Sequence, residues 1–190
     1  MEKAAAVPRG FTRLGWGVWL YRRTFLSSLV LVLVSSGLRA ELRLLANALF
    51  VLQCLSLVLV LLNAPAGARV MRSGVGVFGL GALAWAFLES AKRAYPVTNE
   101  LFFAGLCVVG ATALLHHVWI RLAQYLGAND AAALVRKSLW WTLTLQLIVM
   151  LGAGVMILPL LILATVFLGG LSTLRMWMAL GETQRRVDAA

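Results

Sequence analysis

The longest uncharged stretch of the chain is SLWWTLTLQLIVMLGAGVMILPLLILATVFLGGLSTL, residues 138–174, which is 37 residues long. Ionised side chains are costly in hydrocarbon, so uncharged apolar runs mark segments that lie in lipid. As one helix this stretch would be roughly 55 Å long, whereas a bilayer hydrocarbon core is about 30 Å thick. Gly152, Gly154 and Pro159 lie near its middle, where glycine permits a tight turn and proline suits the start of a new helix. We therefore predict two spans, 134–152 and 156–178.

The whole composition agrees with a membrane protein. The chain has 190 residues, of which 62% are hydrophobic and 13% charged, and its mean hydropathy is +0.90. A soluble domain is about half apolar and about one quarter charged, so this chain has too little polar surface to enclose its apolar residues in water. Four further uncharged runs predict four more spans, at about 24–38, 44–63, 73–90 and 100–120. The predicted fold is all-α: a single membrane domain over residues 1–190 that forms a six-span transmembrane helical bundle.

The distribution of Arg and Lys gives the orientation. With six spans, thirteen of these residues fall in segments on one side of the membrane and four on the other; fusing the last two spans makes the division ten against seven. Basic residues concentrate in cytoplasmic segments, so the six-span arrangement with both termini in the cytoplasm is the better prediction. The arginine-rich, lysine-poor usage favours a bacterial inner membrane. Residues 1–23 then form a cytoplasmic or interfacial N-terminal segment, and residues 179–190 form a cytoplasmic tail that we expect to fray.

The first apolar run raises the question of export. YRRTFL, residues 21–26, resembles a twin-arginine export signal in its arginine pair and the apolar residues that follow. Leu38 and Arg39 precede Ala40, whereas a signal peptidase site needs small residues of the A-x-A type. Another apolar run follows, so we predict an uncleaved first span. That span is short at 15 residues. Residues 10–22 either extend it, with the arginines snorkelling, or form an interfacial helix.

A glycine-rich segment, GVGVFGLG, opens the third span at residues 74–81. Its GxGxxG spacing matches a dinucleotide-binding pattern, but that pattern belongs after a soluble strand. In an apolar span, small residues instead let helices approach closely. We assign helix packing to six small residues, and expect the third span to lie centrally in the bundle or to face a partner: Gly74, Gly76, Gly79, Gly81, Ala82 and Ala86.

The two histidines, His116 and His117, lie about one turn inside the cytoplasmic end of the fourth span. Neighbours on a helix point about 100° apart, so they cannot both bind one metal ion. One of them could bind a haem iron axially, although the chain has no third histidine for a second axial ligand from another helix. A polar, helix-bridging role is the simpler expectation, and the pair remain the groups most sensitive to protons.

Four other polar residues lie in or at the end of predicted spans: Asn47, Gln53, Glu89 and Gln146. Interhelical hydrogen bonds are the simplest role for the three amides. For Glu89 a local ion pair with Lys92 and Arg93 is simplest, because these residues follow at i+3 and i+4. A polar cavity lined by all four residues is the alternative, and it would suit a permease.

No catalytic or cofactor motif is present in the sequence. It contains no HExxH, no paired aspartate motif, no Ser/His/Asp set, no Walker lysine and no metal-ligand spacing, so we predict no catalytic residues, no metal, no cofactor and no enzymatic activity. The first hypothesis is a non-enzymatic membrane subunit or scaffold that acts through helix contacts. A small permease or substrate-binding membrane subunit for a small solute or lipid is the second, and a haem or redox protein using His116 or His117 is the third.

The formal charge of +10 points to lipid rather than nucleic acid, because the basic residues lie between apolar runs. The expected partners are membrane lipids, including anionic headgroups at the cytoplasmic face, and a membrane protein partner or a second copy of the chain. Nucleic acid is not expected.

Overall fold

A computed structural model describes residues 11–35, 40–91, 98–152 and 168–189. Within these ranges the regular structure is helical and contains no strand. The α-helices are α1 (Phe11–Ser35), α2 (Ala40–Asn63), α3 (Met71–Ala91), α4 (Thr98–Tyr125), α5 (Asn129–Gly152) and α6 (Gly170–Asp188), and a 3-10 turn (Ala66–Ala68) lies between α2 and α3.

The connection between α4 and α5 is built on one glycine. Gly127 has φ 71°, a left-handed conformation that glycine adopts without steric cost. The amide of Ala128 donates to the carbonyl of Ala123 at 2.8 Å, and that of Gly127 to Gln124 at 3.0 Å. This pair of bonds is a Schellman cap, which satisfies the last carbonyls of α4. The segment AQYLGANDAAALVRK, residues 123–137, predicts a helix end, a turn at Gly127–Asp130 and a new helix with Asp130 as its N-cap. In the structure α5 begins at Asn129, so Asp130 lies in its first turn.

Consecutive helices run antiparallel in the first half of the chain. Gly17 of α1 packs on Val60 of α2, and Leu61 of α2 packs on Gly74 of α3. The α3–α4 pair is in contact along most of its length, from Gly76 against Leu114 to the rings of Phe87 and Phe103, whose centroids are 5.6 Å apart.

The second half continues the same alternation. Thr112 of α4 bonds Gln146 of α5, while His116, one turn further along α4, faces Ser138 near the start of α5. Ser138 in turn bonds Ser172 of α6, and Leu145 lies against Gly169, so α5 and α6 are also antiparallel.

Helix α6 returns to α1 and brings both ends of the described chain together. Gly15, near the start of α1, lies against Val187 near the end of α6, while Arg22 lies against Gln184 and Gly181. At this end of the bundle, Gly67 also packs on Tyr125. The start of α1, the α2–α3 connection, the α4–α5 connection and the end of α6 therefore lie at one end of the bundle.

The buried core occupies that same end. Its largest fully buried side chains include Trp119, Tyr21, Leu14, Leu122 and Leu180, which come from α1, α4 and α6. The rings of Tyr21 and Trp119 lie 4.8 Å apart at its centre. Helix α3 contributes no fully buried large side chain to this core among the described residues, and packs mainly on α4.

Among the described residues, two helices are long and apolar enough to cross a membrane, Met71–Ala91 and the Asn99–Tyr125 part of α4. Only 17% of the most apolar window of each is buried inside the protein, whereas a core helix of a soluble protein would be mostly buried. Large apolar side chains on these helices point outward instead, including Val75, Trp85 and Phe102. Exposed apolar surface of this extent marks contact with lipid or with another protein.

Residues 11–35 form one continuous helix, so residues 11–22 and the start of the predicted first span belong to the same helix. The expected fraying after residue 178 is wrong, because α6 continues to Asp188 and buries Leu180, Thr183 and Val187 against the core. The predicted turn between spans five and six, with Gly154 and Pro159, lies outside the described residues.

The close approach of α1 and α2 at Gly17 gives a stability prediction. A Cβ atom at Gly17 would lie 2.9 Å from Val60 Cγ2 and 3.1 Å from the Val60 backbone nitrogen, which cannot move aside alone. We expect Gly17→Ala to lower the free energy of unfolding by about 1–3 kcal/mol through overpacking. Denaturation of the detergent-solubilised protein, followed by circular dichroism, measures the change.

Gly79→Ala is the matched control, because a Cβ at Gly79 meets nothing within 4 Å. It carries the same change in helix propensity, and we expect it to leave stability unchanged or slightly raised. Equal losses in both variants would contradict the close packing of α1 on α2.

Candidate functional site

A cluster of hydroxyl groups joins α5 and α6. Ser138 and Thr142 are one turn apart on α5, and both face Ser172 of α6. The Oγ atoms of Ser138 and Ser172 are 2.8 Å apart, and the Ser138 hydroxyl also lies 2.9 Å from the Ser172 carbonyl oxygen. Ser172 Oγ lies 3.1 Å from the Ser138 carbonyl oxygen, so each serine can donate to the other's backbone. Because Ser138 is fully buried, these bonds hold the two helices at a fixed register.

His116 extends this cluster to α4. Its Nδ1 lies 2.8 Å from the carbonyl oxygen of Thr112, and since a carbonyl can only accept, Nδ1 carries the proton. In the neutral ring Nε2 is the acceptor, and it faces Ser138 Oγ at 3.4 Å, so the one Ser138 hydroxyl proton is shared between Nε2 and the Ser172 carbonyl oxygen. His116 is only 6% exposed, and both ring nitrogens face protein groups. The arrangement is that of a neutral histidine that bridges helices, as the simpler sequence interpretation expects.

His117 points elsewhere. Its Nε2 accepts from Arg121 Nε at 3.3 Å on the same helix, in an exposed position. The two histidines therefore share no ligand site, and an iron bound by His116 through either nitrogen would displace a hydrogen bond that the structure shows. Among the described residues no group of three or more His, Cys, Asp or Glu side chains is placed to hold a metal ion.

The four polar residues considered for a cavity lie in different surroundings. Gln146 Nε2 donates to Thr112 Oγ1 at 2.9 Å, which is an interhelical bond of the predicted kind. Gln53 instead lies beside the buried Tyr21 hydroxyl, close to Trp119, at the α1–α2–α4 junction. Asn47 is exposed on α2, and Glu89 is half-buried near the end of α3, whose following residues Lys92 and Arg93 are outside the described ranges. Gln53 and Gln146 thus contact different residues, Tyr21 and Thr112, and do not face each other across a shared cavity.

The six small residues of the third span divide into two groups. A Cβ atom at Gly74 would overlap Leu61, and one at Gly76 would lie 2.6 Å from Leu114, so these two glycines sit in close helix contacts. A Cβ atom at Gly79 or Gly81 would meet nothing within 4 Å, and Ala82 and Ala86 are exposed. Helix α3 is therefore not central, because its contacts are mainly with α4; most of its small residues face outward.

A cavity of about 550 Å³ lies among α1, α5 and α6 at the end of the bundle where the chain ends meet. Its charged lining comprises Arg22, Asp130, Glu182, Arg185 and Asp188, with Trp177 and Gly181 beside Arg22. The sequence predicts topology and contacts with anionic lipid headgroups for the basic residues in general, and it does not single out Arg22. No local pattern could have revealed the cavity, because its lining residues are up to 166 positions apart in the chain.

Arg22 is held in the cavity by an aromatic ring and an amide. Its guanidinium carbon lies 4.3 Å from the centroid of the Trp177 ring, a cation–π contact, and Nη1 lies 3.5 Å from Gln184 Oε1. Gly181 leaves room for it, since a Cβ there would lie 2.9 Å from Nη2. Arg22 precedes the predicted first span, and burial together with the charges of Arg23 and Arg185 lowers the pKa of its guanidinium.

No protein-family description matches the chain, and no significantly similar curated protein or solved structure was found.

The α4–α5–α6 cluster generates a stability prediction. Replacing Ser138 with Ala removes the hydroxyl that faces Ser172 and His116 and leaves their polar groups buried with fewer partners. We expect Ser138→Ala to cost about 1–2 kcal/mol, near the upper end for hydrogen bonds between membrane helices. Thermal unfolding in detergent measures the change.

Ser27→Ala provides the control, because the exposed Ser27 hydroxyl bonds only the Arg23 carbonyl one turn back on its own helix. Its expected effect is below about 0.5 kcal/mol. A Ser138→Ala variant as stable as Ser27→Ala would mean that the hydroxyl cluster does not hold α5 against α6.

Proposed function

We propose that this chain is a six-span protein of a bacterial inner membrane, with both termini in the cytoplasm, and that it acts as a non-enzymatic subunit or scaffold through helix contacts on α3. The observation that carries the functional part is the outward position of Gly79, Ala82 and Ala86 on an apolar helix. Small residues on a membrane helix allow the backbone of another helix to approach closely.

The alternation of the helices supports the six-span arrangement. Each described helix is antiparallel to the next described helix, and α1 and α6 are antiparallel as well, as six alternating spans require. The antiparallel α5–α6 contact also supports two spans within the 37-residue uncharged run, because the start and the end of that run pack against each other in opposite directions.

The charge distribution supports the orientation. The end of the bundle where Gly15 meets Val187 and Gly67 meets Tyr125 is also where Arg22, Arg72 and Arg185 lie. A concentration of arginine at one end is what the positive-inside rule expects of the cytoplasmic face. Trp177, beneath Arg22, suits the adjoining interface, where tryptophan is enriched.

The two alternative functions receive less support from the geometry. A permease needs a continuous polar path, whereas the hydroxyls of Ser138, Thr142 and Ser172 bond one another and Gln146 Nε2 bonds Thr112. A haem protein needs an available histidine nitrogen, whereas both nitrogens of His116 face protein groups. The small residues on the outward face of α3, in contrast, are exposed and remain available to a partner helix.

The orientation predicts the behaviour of terminal reporters. A green fluorescent protein fused after Ala190 should fluoresce, and an alkaline phosphatase fused at the same point should be inactive, because the C-terminus lies in the cytoplasm. An active phosphatase fusion would contradict the proposed topology. A phosphatase inserted in the 92–97 connection, on the opposite side, is the positive control.

The function predicts a helix contact at α3. In a chain carrying Cys54→Ala and Cys107→Ala, cysteine introduced by Gly79→Cys or Ala82→Cys and alkylated with a benzophenone maleimide should, on irradiation in native membranes, form a single crosslinked product of defined mass, because a partner helix packs on this face. Mass spectrometry of the product identifies the partner, and coexpression of two tagged lengths distinguishes a second copy.

Val108→Cys serves as the control for this experiment. Val108 is 43% exposed on α4 and lies outside the small-residue face. Equal crosslinking at Val108, or none at residues 79 and 82, would contradict the proposed contact.

A further inference from the structure

The charges that line the cavity among α1, α5 and α6 are unequally paired. Arg185 forms an ion pair with Glu182 at 3.0 Å, and Arg186 also approaches Glu182 at 3.4 Å. These contacts neutralise one of the three carboxylates in the lining. Arg22 remains on one side as a cation, and Asp130 and Asp188 remain as carboxylates.

Arg22 is positioned for an anion. Its contacts in the structure are with neutral groups, the Trp177 ring and the Gln184 amide, and the latter is at 3.5 Å, the outer limit of a hydrogen bond. Its Nε is buried and donates to no group among the described residues. Arg23 and Arg185 add positive charge around it. A guanidinium has five donors in a planar fork, the geometry that phosphate accepts best.

Asp130 and Asp188 add negative charge to the lining of the cavity. Both are exposed and line the same space, Asp130 from the first turn of α5 and Asp188 from the last residue of α6. A purely anionic ligand bound at Arg22 would meet their repulsion. A ligand carrying both a phosphate and an ammonium group would instead match both signs of charge.

We propose that this cavity binds the headgroup of a zwitterionic phospholipid of the ethanolamine type, with the phosphate on Arg22 and the ammonium toward Asp130 and Asp188. The volume of about 550 Å³ lies in the range of small-ligand sites. The inference rests on the membrane placement given under the proposed function, which sets the cavity at the cytoplasmic interface where headgroups lie. Arg22 thus binds lipid as well as directing topology.

Native mass spectrometry of the full chain tests the lipid preference. The protein is purified in detergent and mixed with equal amounts of dioleoyl phosphatidylethanolamine and dioleoyl phosphatidylglycerol. We expect the ethanolamine lipid to be retained several-fold over the glycerol lipid, and Arg22→Gln to lower its retention about tenfold, as for the loss of a charged hydrogen bond. Arg72→Gln, which removes an exposed arginine at the same end but outside the cavity, should retain the lipid normally.

Two further variants separate binding from folding. Gly181→Ala keeps every charge but places a Cβ 2.9 Å from the Arg22 guanidinium, so it should also lower retention. The paired change Asp130→Asn with Asp188→Asn should abolish the preference for ethanolamine over glycerol. Thermal unfolding without added lipid shows whether each variant is folded.

Soluble probes distinguish the source of the phosphate. Phosphoethanolamine should raise the melting temperature of the protein more than inorganic phosphate does, and less than the lipid. Preference for the glycerol lipid, undiminished retention in both Arg22→Gln and folded Gly181→Ala, or a full effect of inorganic phosphate alone would overturn the proposal. The crosslinking at residues 79 and 82 does not involve Arg22, so a failure of either proposal is separately visible.

Discussion

The absence of hydrogen-bonding solvent in hydrocarbon is the constraint on which this architecture depends. A backbone amide or carbonyl left unpaired in lipid costs several kcal/mol, so a chain there must satisfy its polar groups internally. The described residues do this with helices, and the capped turn at Gly127 satisfies the carbonyls at the end of α4. The same constraint acts on side chains, which explains why the hydroxyls of Ser138, Thr142 and Ser172 bond one another.

The bundle has a well-packed core at one end and exposed apolar side chains along α3 and α4. Large side chains such as Trp119 and Tyr21 fill the core at the end where the start of α1 meets the end of α6. Further along the bundle, α3 and α4 pack closely on each other but leave Val75, Trp85 and Phe102 exposed. In a water-soluble protein this surface would be an aggregation hazard, whereas lipid or a partner helix covers it at no cost.

The sequence predicts the all-α class and most helix positions because charge and hydropathy are local properties. It also predicts the turn at Gly127 and an interhelical bond from Gln146. It leaves open whether α3 lies at the centre or faces a partner, because small residues such as Gly79 and Ala82 favour close packing whether the neighbouring helix belongs to the same chain or another. It misses the buried end of α6, since GETQRRVDAA is polar in composition and only the partner surface on α1 reveals why Thr183 and Val187 are covered.

The cavity among α1, α5 and α6 could not be predicted for a related reason. Topology and general contact with anionic headgroups explain any arginine beside an apolar run, so the sequence offers no reason to separate Arg22 from the other arginines. The role of Arg22 in the cavity depends on Trp177 and Gly181 arriving from the far end of the chain, and on Arg185 being paired with Glu182 while Arg22 is not. Pairing and proximity are properties of the folded bundle, and they separate one arginine from the others that share its position in the charge pattern.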